Sequence, residues 1–180
     1  GDRDYGKPVR DARVGMLPPK LTQMMINLAQ PRKDTLIYDP FCGTGTVMME
    51  ALMMGYDSMG SDLSPDMINA SQKNIEWLKN KFGIKNTCEI FQKDATAITR
   101  EDILTKSIAV VTEPLLGPPL SKAPTLQEAE RIMDKLTSLY LKFFENLKKI
   151  VPAGTRGVFI FPYIKGAKQT WPSSTFKELD

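Results

Sequence analysis

The sequence predicts an α/β domain with a mostly parallel central sheet and helices on both of its faces. Three observations carry that expectation. Segments of strand pattern alternate with segments of helical pattern, as successive βαβ units require. The run Ile108-Ala109-Val110-Val111 is continuously apolar, as a central strand buried on both faces must be. A turn with two glycines, Gly43 and Gly45, stands between a strand pattern and a helix pattern, where the backbone can approach a ligand closely.

The elements follow in order. A polar stretch over 1–20, rich in Arg, Gly and Pro, leads into an apolar-periodic helix over 21–29 that Pro31 stops. Residues 35–41 form a first strand, and 47–54 the helix after the glycine turn. Met48, Met49, Met53 and Met54 fall at helical spacing there and are core packing. Residues 57–62 form a second strand. Ser64 as N-cap and Pro65 in the first position open a helix that runs to 82. A third strand covers 87–92, its end marked by Asp94, and a fourth covers 107–112. A Pro-rich loop over 114–124 leads to a long helix over 126–150. Lys148 and Lys149 near its C-terminus oppose the helix dipole favourably. Residues 156–163 form a fifth strand, and 165–180 a loop entering a helix. The whole is one domain, with a basic segment and helix at 1–30 leading into a core at 31–180. Cores of this type continue into more strands, so the chain is expected to be incomplete at its C-terminal end.

Composition narrows the function classes. With 180 residues, 42% hydrophobic and 25% charged, the chain suits one soluble globular domain with a real core. No apolar run is long enough to span a membrane, and no secretory leader is evident. There is no histidine, and the two cysteines, Cys42 and Cys88, lack metal-ligand spacing. That excludes histidine-based catalytic triads and leaves no metal centre to expect. A reducing, cytoplasmic setting is the default. Cys42 is expected to be small and buried, with no neighbour that would activate it. The net charge of +3 is too mild to imply a nucleic-acid partner by itself. Arg3, Lys7, Arg10 and Arg13, with Tyr5 among them, form a basic N-terminal block. Two readings stay open for it: a phosphate-contacting arm, or a solvated segment paired with Asp2, Asp4 and Asp11.

The binding chemistry concentrates in Asp39-Pro40-Phe41-Cys42-Gly43-Thr44-Gly45-Thr46. The glycines and the helix N-terminus behind them also fit a dinucleotide site. Two details shift the balance. Met48 stands where the third glycine of a GxGxxG pattern would be. Asp39 places a carboxylate just before the loop, which would repel a pyrophosphate and welcome the ammonium of the methionine moiety of S-adenosylmethionine. Asp62 ends the second strand, about 20 residues on, where an acid can accept from ribose hydroxyls. Asp94, at the end of the third, is placed to accept from an adenine amino group. Asp is also a common turn-former, so each acid alone has that plainer reading. Three in register with a glycine loop favour a cofactor.

The block Arg3-Asp4-Tyr5-Gly6-Lys7-Pro8-Val9-Arg10-Asp11-Ala12-Arg13-Val14-Gly15-Met16-Leu17-Pro18-Pro19-Lys20, taken with the DPFCGTGT loop, resembles the catalytic domain of THUMP-associated RNA methyltransferases. These include the tRNA guanine-N2 methyltransferases of archaea and eukaryotes. The resemblance runs from about Arg3 to Tyr163. It implies a Rossmann-like class I methyltransferase using S-adenosylmethionine, with RNA, and tRNA above all, as partner. It implies that Gly15 to Lys20, including Leu17 and Pro18, lie along the cofactor's methionine end. The implied cofactor set is completed by Asp39, Phe41, Cys42, Gly43, Gly45, Thr46, Asp62 with Leu63, Asp94 with Ala95, and Glu113.

The family's loop after the fourth strand usually reads Asp-Pro-Pro-Tyr. Here Glu113 matches the acid, Pro114 the first proline, Leu115 the second, and Leu116 the aromatic residue that stacks on the base. Glu113 and Pro114 are thus the implied catalytic pair, and Leu115, Leu116 and Gly117 the implied substrate contacts. An exocyclic amine is a poor nucleophile because its lone pair is conjugated with the ring. Acceptors that hold its N–H groups aim the lone pair at the methyl, so catalysis is mostly positioning. Glu113 is one methylene longer than the usual Asp, and Leu116 cannot stack. Phe161 or Tyr163 is then a candidate replacement aromatic. In the resembled family an RNA-binding domain precedes the catalytic one, so a separate or upstream module is expected here. Other readings are a DNA amino-methyltransferase, a protein glutamine methyltransferase, a non-catalytic cofactor-binding subunit, and binding of NAD by the same loop.

Overall fold

The parallel sheet forms because each strand is followed by a helix or long crossover that returns the chain to the same starting edge. In the computed structural model, residues 6–10, 17–103 and 107–164 are described. The elements are α1 (Pro19–Leu28), β1 (Leu36–Asp39), α2 (Thr46–Met53), β2 (Ser58–Asp62), α3 (Pro65–Phe82), β3 (Cys88–Gln92), β4 (Ile108–Thr112), α4 (Leu126–Ile150) and β5 (Arg156–Phe159). The order across the sheet is β3-β2-β1-β4-β5, with every pairing parallel. The order reverses between β1 and β4, so the carboxyl ends of those two strands flank the crevice where ligands bind in open α/β sheets.

Side-chain alternation along the strands builds two core layers. Tyr38 and Val110 face α4 and meet Tyr140, Phe143 and Phe144. Ile37, Ala109 and Val111 face the other way, towards Met25 and Ile26 of α1 and Val47 of α2. Met48, Met49 and Leu52 of α2 continue that second layer to Ile75 and Leu78 of α3. Helices therefore cover both faces, and the methionines at 48 and 49 are core residues, 0% and 2% exposed. Helix ends follow their local chemistry. Ser64 accepts from the Met67 amide at the start of α3, and Gly83 closes that helix in the left-handed conformation. Thr125 and Glu128 form a reciprocal capping box on α4, which carries Lys148 and Lys149 in its last turn.

The elements match the expected ones in kind and order, and differ at their ends. The first helix begins two residues earlier, at Pro19, because proline is accommodated in a first turn. The strand expected over 156–163 pairs only as far as Phe159. A short 3-10 turn, Ala95–Ala97, follows β3 and was not anticipated. The tail over 165–180 lies outside the described residues. No helix among the described residues is long and apolar enough to cross a membrane.

Candidate active site

The three aspartates at the sheet's carboxyl edge are placed by one repeated device. Oδ1 of Asp39 accepts from the amide of Phe41 at 3.0 Å, Oδ1 of Asp62 from that of Ser64 at 2.9 Å, and Oδ1 of Asp94 from that of Thr96 at 2.8 Å. Each carboxylate thus closes a turn with the amide two residues on. The turn-forming role and a site role are therefore compatible, because one oxygen makes the turn and the turn fixes where the other points. For Asp62 that second oxygen accepts from the Gly43 amide at 2.9 Å, tying the end of β2 to the glycine loop. For Asp39 the remaining oxygen has no hydrogen-bond partner among the described residues, although the side chain is only 3% exposed. Its Oδ1 also takes the Thr112 hydroxyl from the end of β4, at 2.6 Å.

Burial pushes the Asp39 carboxyl up to about 7, against the two hydrogen bonds that favour its ionised form. Like charge from Asp62 and Glu113 adds to the rise, which brings those three acids into one electrostatic neighbourhood. Asp94 is not among the groups acting on Asp39. It stands exposed beyond β3 and caps the 3-10 turn.

The glycine loop is held from several directions. The Gly45 amide donates to the Cys42 carbonyl at 2.8 Å and the Cys42 amide to Ser61 at 2.9 Å. Gly45 itself has φ of 89° as the N-cap of α2; a side chain there would be strained and would press on Ser71. Met48, in place of the third glycine, has its bulk accommodated on the strand instead. A Cβ on Gly60 of β2 would lie 2.1 Å from the Met48 sulfur and 2.9 Å from the Cys42 Cβ. Gly60 is thus a loop-supporting residue that sequence reasoning missed, its only signal being a small residue inside a strand. Cys42 is 5% exposed, and burial pushes its thiol well up, so it is inert packing.

Two further residues were missed or misread. Asn74, fully buried on α3, accepts from the Val9 amide at 2.9 Å and donates to the Val9 carbonyl at 3.0 Å and the Thr44 carbonyl at 2.9 Å. It fastens the N-terminal segment to the loop. Lys7 is neither an exposed phosphate-contacting arm nor a solvated charge. It is 6% exposed, with Nζ 3.4 Å from the Thr44 hydroxyl and 3.3 Å from that of Thr46. Arg10 is exposed, while Arg3, Tyr5 and Arg13 of the same block lie outside the described residues, as do Gly15 and Met16.

The remaining expected cofactor residues divide by exposure. Leu17 is buried in the layer beneath α1, and Pro18 is its exposed N-cap. Phe41 is partly buried with its ring edge-on to Phe143, centroids 5.1 Å apart. Thr46 opens α2, and Ala95 is buried in the α4 layer. Leu63 is 66% exposed beside Asp62.

After β4 the chain turns through Glu113, half-buried, whose carboxyl is raised by desolvation. Pro114 is buried, Leu115 is exposed, and Leu116 and Gly117 are intermediate. The Tyr140 hydroxyl, from the core of α4, donates to the Leu115 carbonyl. Gly117 has φ of 107° and lies against Ile132, where a Cβ would come within 3.1 Å. Of the two replacement aromatics, Phe161 packs against Tyr140, its ring 5.5 Å away, while Tyr163 is 80% exposed. Tyr163 is the more exposed of the two.

Known proteins resemble this chain in sequence and in fold. The family model described as the RMKL-like methyltransferase domain matches residues 9–178. The tRNA (guanine(10)-N2)-dimethyltransferase of Methanothermobacter thermautotrophicus is 30% identical over 132 residues, 73% of this chain and 34% of that protein. The protein of that name from Methanocaldococcus jannaschii is 26% identical over 151 residues, 84% of this chain and 38% of its own length. The chain therefore spans little more than a third of these relatives. Among solved structures, TrmN from Thermus thermophilus superposes with a TM-score of 0.62 at 20% identity, over 83% of this chain and 40% of that one, which shows the shared fold. With nearly its whole length matched, the chain belongs to the RMKL-like methyltransferase-domain family, whose methyl donor is S-adenosylmethionine.

Proposed function

We propose that this domain transfers a methyl group from S-adenosylmethionine to the exocyclic amino group of a base in RNA, with guanine N2 in tRNA as the target. The observation that carries the reading is Asp39. A carboxylate buried at the topological switch point, with one oxygen lacking a partner, fits a ligand that brings its own ammonium. Asp62, held by Gly43 and Ser64, keeps acceptor capacity for ribose hydroxyls, and the open oxygen of Asp94 faces solvent where an adenine amine would arrive. Leu63 offers the adenine an apolar wall. The target follows the relatives, whose names specify guanine N2 of tRNA.

The cofactor supplies a methyl on a positively charged sulfur; the chain's own groups supply position. The Glu113 carboxylate and the Pro114 carbonyl accept the two N–H bonds of the amine, which leaves its lone pair free to point at the methyl. The Leu115 carbonyl already takes the Tyr140 hydroxyl, and this bond holds the loop while Pro114 serves the amine. Tyr163 is the aromatic we assign to stacking on the base, with Leu116 an apolar contact. Recognition of the tRNA body falls to a separate or preceding RNA-binding module, and the work to the cytoplasm.

The test is transfer of labelled methyl from S-adenosylmethionine to unmodified bulk tRNA, comparing the protein with Glu113→Ala. Incorporation should fall on the order of 10²-fold in the variant, as loss of a positioning group implies, and digestion should place the label on guanine N2. Cofactor binding without incorporation into any tRNA would instead favour a non-catalytic role, for which the Leu115-Leu116 pair is the motivating feature.

A further inference from the structure

Helix α4 buries one face and bares the other. Ala129, Met133, Leu136, Tyr140, Phe143 and Leu147 lie in the core layer, at the three- and four-residue spacing of one helix face. On the opposite side stand Arg131, Lys135, Lys142 and Lys149, four, seven and seven residues apart and all exposed. At about 100° per residue these four fall within a sector of about 40°, in a line about 27 Å long. Ser138 is the residue that falls between them, so no large apolar side chain interrupts the line.

A solvated helix face ordinarily alternates the two signs of charge. Here the acids are kept off the line. Asp134 and Glu145 fall together on one flank and Glu128 on the other. Glu128 is committed to the helix cap, its Oε2 accepting from the amide and the hydroxyl of Thr125 at 2.8 and 2.9 Å. Lys135 and Lys142 make no hydrogen bond or ion pair among the described residues. At the far end the exposed Arg100 adds a guanidinium, its Nε donating to the Lys149 carbonyl at 3.2 Å.

The line starts beside the candidate catalytic loop. Arg131 and Ile132 of α4, with Pro119, Leu120, Lys122 and Pro124 of the preceding loop, line a groove of about 320 Å³. Ile132 also lies against Gly117, where a Cβ would come within 3.1 Å, so the groove and the segment after Glu113 share a wall. Pro118, Pro119 and Pro124 stiffen the loop by fixing φ. An apolar wall with cations at its rim suits the sugar and phosphate of a nucleotide, and a row of cations leading away suits the backbone that follows.

We infer that the outer face of α4 is the track for the RNA strand carrying the target base, with phosphates running from Lys122 and Arg131 at the groove along Lys135, Lys142 and Lys149. The inference rests on the RNA-methylation reading and adds to it the surface along which the RNA lies.

The experiment measures affinity of the 180-residue chain for unmodified bulk tRNA across a range of salt concentrations. One variant combines Lys135→Gln with Lys142→Gln. A second combines Lys73→Gln with Lys85→Gln, two exposed lysines on or just after α3, which packs on the other face of the sheet. Net charge changes equally in the two. Glutamine is a good helix former, and S-adenosylmethionine affinity should be unchanged in both variants. The α4 variant should lose about tenfold in tRNA affinity, and the slope of log affinity against log salt should flatten by about 1.5, at roughly 0.7–0.9 per lost phosphate contact. The α3 variant should stay within about twofold in affinity and keep its slope. Equal losses in the two variants would show an effect of net charge alone, and no loss in the α4 variant would show that the RNA runs elsewhere; either overturns the inference. Failure of the unaltered chain to bind tRNA at all would be a different result, sinking the RNA reading and this inference with it.

Discussion

The loop after β1 and the loop after β4 open on the same edge of the sheet and are held in different ways. Residues 39–46 are fixed largely by backbone amides: Asp39 to Phe41, Asp62 to Gly43, Gly45 to Cys42, Cys42 to Ser61. Residues 113–120 carry an exposed Leu115 and Leu120 and are anchored by a hydroxyl from α4. The difference fits the proposed function. A cofactor that is the same in every turnover rewards a rigid cradle. Under the proposed function a base in RNA must enter and leave, and a loop pinned at the Leu115 carbonyl leaves room for it.

The largest effect that would break this comparison is at Asp39. Asp39→Asn should weaken S-adenosylmethionine binding on the order of 10²-fold, since an ammonium loses its charged partner in a buried site. The same variant should be more stable than the parent at pH 8. The folded-state carboxyl is raised to about 7 by burial, so its contribution to stability is fully present only below the unfolded value and is lost as pH rises through about 7. Asparagine does not titrate and avoids that loss. Each kcal/mol recovered moves the melting temperature by about 2–4 °C, and the advantage should shrink towards pH 5. Calorimetry at both pH values checks it; equal advantages at the two would contradict the titration.

Binding in the unaltered protein should carry the same signature. As pH falls below about 7 the carboxyl protonates, and S-adenosylmethionine affinity should drop by up to about tenfold per pH unit, the limit for one linked proton. A flat profile between pH 5.5 and 8 would remove Asp39 from the cofactor site.

Tyr140→Phe sharpens the comparison from the other side. It deletes the bond to Leu115 and leaves the ring, so turnover should fall about tenfold, roughly 1.4 kcal/mol of positioning, with cofactor affinity unchanged. A matching loss of cofactor affinity would mean that the two loops are one unit. The smallest functional change is expected from Gly60→Ala. The new methyl meets Met48 and Cys42 in a filled core, an overpacking cost of about 1–3 kcal/mol, seen in thermal unfolding. Combination with Met48→Ala should recover part of it; no recovery would mean that the strain lies elsewhere.

Much of the fold was legible in the sequence because its determinants are local. Ser64-Pro65 starts a helix by its own capping chemistry, and Asp39, Asp62 and Asp94 close turns with amides two residues away. The strand-end acids could be located for the same reason. The ends of β5 and the turn at Ala95–Ala97 were not legible, since pairing with β4 and docking on α4 decide them.

By itself, then, the sequence determined the alternation of elements, the glycine loop and the family, each expressed within a few consecutive residues. Only the tertiary structure decided which side chains serve that loop from afar. Lys7 meets Thr44 across 37 positions, Asn74 meets Val9 across 65, and Tyr140 meets Leu115 across 25. A lysine among mixed charges, an asparagine on a helix and a tyrosine in an aromatic stripe have ordinary local meanings. Their particular roles arise when folding removes them from water and obliges each buried polar group to find a partner.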